Sequence, residues 1–311
     1  MFQPEKSLSY SKLSVDILNK SDKTIFMANA KLTYAQMLSF NEQYRLSVEI
    51  FSEAYKIFSF LNCHFLMLVA ITNEVLNRYK LGEFESVISI CNKTLLQISN
   101  FNEKNQFGSE ILHLPLGMCY FELNKPHLAI ENLIKAKNNI DQSGLFHMHG
   151  FVEIFLFKSY YILKDRKNMK KLIDETILKF GHMNYTPTDF LISFFKIFFY
   201  EEKDLSSLNS AVEKIELEFQ KSLFKSNFII IDSLIMLKLK GYKVSLNIDF
   251  LEKTLNHLKY TGFISQIQKT LIQLAELYYF KKDYVNAKKY LKDSLKIYEE
   301  FKISGNFFVF L

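Results

Sequence analysis

The sequence predicts an all-α chain, a right-handed superhelical solenoid of about seven helical hairpins. Three observations predict it. Nine glycines and four prolines in 311 residues leave few of the turns that sheets require, while Leu, Lys, Glu and Phe are abundant. Apolar residues recur at helical spacing on both sides of short polar breaks. The clearest instance has Leu271, Leu274, Ala275 and Tyr278, then Lys281-Lys282-Asp283, then Tyr284, Ala287, Leu291 and Ser294. The same pattern returns along the chain about every 40 residues.

Taken in order, residues 1–28 precede the pattern as an N-terminal extension in which Ser11 to Leu18 can form one short helix. The array runs from 29 to 303. Each unit has a register position, a second core position twelve residues on, and further core positions at sixteen and nineteen. Ala35 opens the first unit, with Ser47, Phe51 and Ala54 at the offsets and a break at Asn41-Glu42-Gln43. Val75 opens the second, with Val87, Cys91 and Thr94 and a Gly82-Glu83-Phe84 turn. Gly117 opens the third, with Ala129, Leu133 and Ala136 and a turn at Asn124-Lys125-Pro126. The fourth unit, at Phe157, keeps the offsets without the small residues, the fifth at Lys196 fits them loosely and the sixth at Ile235 most loosely, and Ala275 restores the clear form. Tail residues 304–311, SGNFFVFL, end the array in bare aromatics where a solenoid needs a polar cap, which points to docking in the chain's own groove or on a dimer partner. The sequence places part of the long period in loops at 99–108, 139–144 and 180–189. Pro115, six residues after the N-cap candidate Ser109, reads as an interior proline that kinks the first helix of the third unit.

Composition excludes several classes of function. No apolar leader opens the chain, and the apolar runs FLISFFKIFFY and FIIIDSLIML are too short to span a bilayer, so the reading is a cytoplasmic protein without a membrane partner. Cys63, Cys91 and Cys119 are odd in number and far apart, which fits a reducing compartment. Only His147 and His149 lie close together, without further ligands at metal spacing, so no metal or other cofactor is expected. The net charge of +6 is mild, and the lysine-rich stretches 164–171 and 281–292 interleave with acids, as on a solvated face. Nucleic-acid binding through the repeats is therefore not expected. No phosphate loop, dinucleotide fingerprint, nucleophile elbow or zinc-protease helix occurs, so the chain does not read as an enzyme.

In such a hairpin the first helices line a concave groove. Positions at minus three, minus two, plus one and plus four from the register point into it. The candidates drawn from those positions are Gln36, Asn73, Tyr79, Met118, Phe121, Lys158, Tyr161, Tyr200, Asp232, Met236, Gln273 and Tyr279. The set is apolar and aromatic with a few amides and single charges. An extended peptide needs such a wall: amides to hold its backbone and pockets for its side chains. Tyr79, Tyr161, Tyr200 and Tyr279 share one offset, which reads either as a ladder of phenols along the groove or as half-buried core.

The helix–turn–helix pattern, small residues twelve apart and the Gly82-Glu83-Phe84 turn resemble a tetratricopeptide repeat, here with a period longer than the usual 34 residues or so. The array as a whole resembles the cytosolic peptide-pheromone receptors of Gram-positive bacteria and their phages, the Rap, Rgg, PlcR, NprR and arbitrium-receptor group. That resemblance implies a short signalling peptide bound in the concave groove. It also implies a change of solenoid pitch, protein contact or homodimer contact in response. Members act through an N-terminal helix-turn-helix or helical bundle, and residues 1–28 are too short for either. The expectation is thus a fragment, or an output carried by the solenoid surface, and DNA binding does not carry over. The competing reading is a constitutive scaffold or adaptor without a small ligand. An adaptor that clamps carboxylates would carry Lys and Arg at the groove offsets, and only Lys158 qualifies.

Overall fold

The computed structural model describes residues 4–18, 24–99, 109–143, 149–181, 186–200, 206–210, 233, 236–237, 241–242 and 248–301. It is a helical solenoid built from hairpins. Helix α1 (Pro4–Leu18) packs on α2, and α2 (Ile25–Phe40) with α3 (Tyr44–Phe60) forms the first hairpin. The second is α4 (His64–Lys80) with α5 (Phe84–Ser99). A 3-10 turn (Ser109–Leu112) leads into α6 (His113–Glu122), which pairs with α7 (Pro126–Ser143). The fourth is α8 (His149–Ile162) with α9 (Arg166–Phe180), and α10 (Thr186–Tyr200) opens the fifth. Helix α11 (Ile248–Thr261) precedes the last hairpin, which α12 (Ile264–Phe280) forms with α13 (Tyr284–Phe301).

Five of the seven register positions are in the core, while Lys196 is half-buried and Ile235 lies outside the described residues. Ala35, Val75, Gly117, Phe157 and Ala275 are all buried, as are Ser47, Val87, Ala129, Met169 and Ala287 twelve residues on. Small residues are needed there because the two helices of a hairpin cross closely. A Cβ added at Gly117 would lie 2.6 Å from Leu133 Cγ. Where serine replaces alanine it is satisfied within the crossing: Ser47 Oγ donates to the Ala35 carbonyl at 2.6 Å. Leu291, expected in the core, is instead half exposed. It lies on the second helix of the last hairpin, where no further described hairpin covers it.

One turn recurs at the hairpin tips. After α2, the Glu42 N–H donates to the Ser39 carbonyl and the Gln43 N–H to the Leu38 carbonyl, with Glu42 at φ 60°. This is the left-handed helix stop in which two orphan carbonyls are satisfied by the two residues beyond the cap. It returns with Gly82, Asn124, Lys164 and Lys282 in the left-handed position. The first four of these positions are 40, 42 and 40 residues apart, which fixes the period independently of the core. Asp165 and Asp283 then cap α9 and α13 by accepting the N–H groups of Asn168 and Asn286, three residues on.

Several expectations change. In hairpins one and two the long period resides in the helices: α2 to α5 have 16 or 17 residues each, separated by three-residue turns. Residues 139–143 continue α7 and residues 186–189 begin α10, while residues 100–108 lie outside the described residues. The helix expected over Ser11–Leu18 already starts at Pro4, where a proline's missing N–H costs nothing, and the first repeat helix starts at Ile25, capped by Thr24. Pro115 does not kink a helix interior. The α-helix begins at His113, so Pro115 stands in the first turn, whose N–H groups have no intrahelical partner in any case.

Candidate functional site

The first helices of hairpins one to three present their groove offsets to one another. Ser39, Asn73, Leu76, Tyr79, Leu114 and Met118, all at those offsets, line a cavity of about 140 Å³ together with Asn77, Lys80 and Phe151. The remaining wall residue is Phe263, which immediately precedes α12. The closing hairpin thus reaches back onto the wall made by the opening ones.

Helix α12 is enclosed along about two thirds of its length: every residue from Ser265 to Ala275 is buried. The key contact is ionic. Lys269 Nζ lies 3.0 Å from Glu122 Oε1, at the end of α6, and both side chains are almost wholly shut from solvent. Tyr79 Oη donates to the same Glu122 oxygen at 2.7 Å. Burial, and then the neighbouring Glu122 charge, hold the Tyr79 phenol well above the usual tyrosine range. One carboxylate therefore joins hairpins two, three and seven. A buried charge needs such pairing, because removing it from water costs several kcal/mol.

A second set of contacts borders the first. The ring of Phe263 meets Tyr44 edge-on at 6.3 Å, and Lys80 Nζ sits 4.4 Å from the Tyr44 ring centroid. Burial pulls the Lys80 ammonium down to about 8, with Glu42 opposing the shift. His257 Nε2 of α11 lies 2.7 Å from Glu42 Oε2 at the tip of the first hairpin. A wider cleft of about 490 Å³ opens between that tip and the α11–α12 turn, with Arg45, Lys259, Tyr260 and Phe301 on its walls. Beside the cavity a polar chain fixes the wall itself. Ser39 Oγ donates to Asn77 Oδ1 and Asn77 Nδ2 to Ser47 Oγ, each at 2.9 Å.

The sequence-predicted residues divide by environment. Asn73, Tyr79 and Met118 meet at the cavity. Phe121 lies under the covered wall, its ring edge-on to Phe155 at 5.3 Å. Lys158 is buried with its ammonium 6.0 Å from the Phe155 ring centroid. Tyr161 is half-buried against Phe157 and Phe198, an aromatic core contact. Gln36 is half-buried, and Met236 and Gln273 are buried. Tyr200 is exposed and donates its hydroxyl to Asp174 on α9, the second helix of its neighbour. Tyr279 is 61% exposed at the last hairpin tip, beside Tyr284. Asp232 lies outside the described residues. The four tyrosines thus form no single ladder. Three of them recur because their offset is the last helical turn, where the carbonyls of Tyr79, Tyr161 and Tyr279 accept the left-handed residue's N–H.

Sequence reasoning missed Glu122, Lys269, Phe263 and His257. Glu122 and Lys269 fall outside the groove offsets of their own repeats, and only the superhelical return of the last hairpin makes them neighbours. Cys91 and Cys119 are buried, and burial raises both thiols, Cys91 to about 12, so neither is an activated nucleophile. Among the described residues no cluster of three metal-ligating side chains occurs, and no helix is long and apolar enough to cross a membrane.

No family model and no curated protein sequence matches the chain. Among solved structures, it is similar to the crystal structure of a Rap protein complexed with Competence and Sporulation Factor. The TM-score is 0.57 at 11% sequence identity, over 95% of this chain and 70% of that one. The likeness establishes a shared helical-repeat fold.

Proposed function

We propose that the chain is a regulatory protein that binds a short signalling peptide in its concave groove and passes the event on through a protein–protein or homodimer contact, without catalysis. The observation that carries this reading is the wall of hairpins one to three. It holds apolar pockets, amides at Asn73 and Asn77, and a buried carboxylate at Glu122. It already accommodates a polypeptide segment, the start of α12. A wall that accepts backbone, apolar side chains and one ammonium has the chemistry a peptide requires. The fold shared with a protein crystallised with Competence and Sporulation Factor, and the receptor group that the sequence resembles, support the same reading. A cytoplasmic location follows if the peptide is an imported signal.

A thermal-shift screen with short peptides encoded beside the gene tests it. A ligand that binds only the folded state raises the melting temperature by mass action. If none shifts the transition and no such peptide is encoded, the constitutive scaffold reading replaces it.

A further inference from the structure

We infer that the start of α12 is a displaceable internal occupant of the groove, so that docking of the last hairpin and binding of an external segment on hairpins one to three exclude each other. The inference rests on the groove reading above only for the identity of the external segment. Three observations lead to it.

The docked surface is polar where a permanent core helix would be apolar. The eleven buried residues Ser265–Ala275 take in every side of α12, and the side that meets hairpins two and three does so through Lys269, whose ammonium pairs with Glu122. Such a surface has ready partners in water, so its undocked state carries a smaller hydrophobic penalty than any hairpin crossing inside the array.

The fit is incomplete. Thr72 Oγ1 on α4 and Gln266 Nε2 on α12 are buried without a hydrogen-bond partner among the described residues. The cavity of about 140 Å³ remains under Phe263, and the cleft of about 490 Å³ flanks the same seam. An incoming peptide can fill volume and satisfy groups that α12 leaves open.

The docked segment has a pivot. Gly262, between α11 and α12, has φ +73°, a conformation that lets the chain turn sharply without a Cβ penalty. Among the described residues the ionic contact of α12 across the seam is one side-chain pair, Lys269 with Glu122, beside the edge-on meeting of Phe263 and Tyr44. A ligand's ammonium can take the place of Lys269 on Glu122.

Native-state hydrogen exchange on the full chain tests this directly. Amides 264–275 should open in a sub-global step and exchange at least tenfold faster than those of α8, and Lys269→Met should accelerate them at least a further tenfold while they remain the faster set. A synthetic peptide of residues 263–275 should bind the Lys269→Met protein at least tenfold more tightly than wild type. If amides 264–275 exchange only together with α8, or the peptide binds neither protein or both equally, the inference is overturned. Should Lys269→Met fail to fold, the wild-type exchange pattern decides alone. Failure of gene-encoded peptides to bind, with segment 263–275 still competing, would sink the signalling reading and leave the internal occupant intact.

Discussion

Lys269 and Glu122 form a buried ion pair at 3.0 Å across 147 positions of sequence, and Tyr79 completes the carboxylate's shell from a third hairpin. Through this pair the end of the solenoid registers on its beginning. Removing one partner leaves the other charge buried and alone, which costs about 3–5 kcal/mol. Lys269→Met and Glu122→Gln should each lower stability by an amount of that order in denaturant unfolding. The double variant should lose clearly less than the sum. Additive losses would show that the pair contributes no coupling.

The crossing at Gly117 admits no side chain. Gly117→Ala sets a methyl 2.6 Å from Leu133 Cγ and 3.2 Å from the Ala129 carbonyl. Overpacking of this kind costs about 1–3 kcal/mol, and pairing it with Leu133→Ala should remove the clash but leave the cavity cost of the lost leucine. Chemical denaturation of the two singles and the double variant checks this. A neutral Gly117→Ala would mean that the hairpin crossing yields freely.

Lys164 and Lys282 occupy left-handed helix stops, at φ 55° and 63°. A non-glycine residue there carries a strain of about 1 kcal/mol, so Lys164→Gly or Lys282→Gly should be neutral to mildly stabilising despite the entropy glycine adds to the unfolded chain. The converse change, Gly82→Ala at φ +78°, should destabilise by about 1–2 kcal/mol, and the new Cβ also meets Ile264 Cβ at 3.1 Å. Thermal melts of the three variants give the order directly.

Glu276, on the outer half of α12, has its carboxyl pushed up to about 7 by burial. The folded state therefore binds this proton more tightly than the unfolded state, whose carboxyl titrates near its ordinary value of about 4.3. The stability this group contributes is present below that value and is lost as pH rises towards 7, by about 1–3 kcal/mol in full. Glu276→Gln should flatten stability against pH between roughly 4.5 and 7. An unchanged slope would place the pH dependence elsewhere.

How much of this was legible before the structure depends on the range of the interaction. Ala35, Val75, Gly117 and their partners twelve residues on are core because one hairpin buries them, and helical spacing alone exposes that. The groove offsets also held in hairpins one to three, where Ser39, Asn73, Leu76, Tyr79, Leu114 and Met118 line one cavity. They lost meaning at Tyr200 and Tyr279, which are exposed, Tyr200 bonded to Asp174 of the neighbouring hairpin and Tyr279 beside Tyr284 at the last hairpin tip. Nothing in the local pattern around Lys269 marks it for burial. It is buried because the superhelix returns on itself, a consequence of pitch summed over the whole array that no local periodicity encodes.

The central claim is that the wall around Asn73 binds peptide. The most direct measurement is calorimetric titration of gene-encoded short peptides into wild type and Asn73→Ala. Asn73 is half-buried at the cavity, and among the described residues its Nδ2 donates only to the Val69 carbonyl of its own helix, so the fold should tolerate the change. The expected result is saturable binding to wild type, weakened about tenfold or more in Asn73→Ala, roughly 1.4 kcal/mol, with unchanged helicity. Equal affinity for both proteins, or no binding to either, would contradict the account.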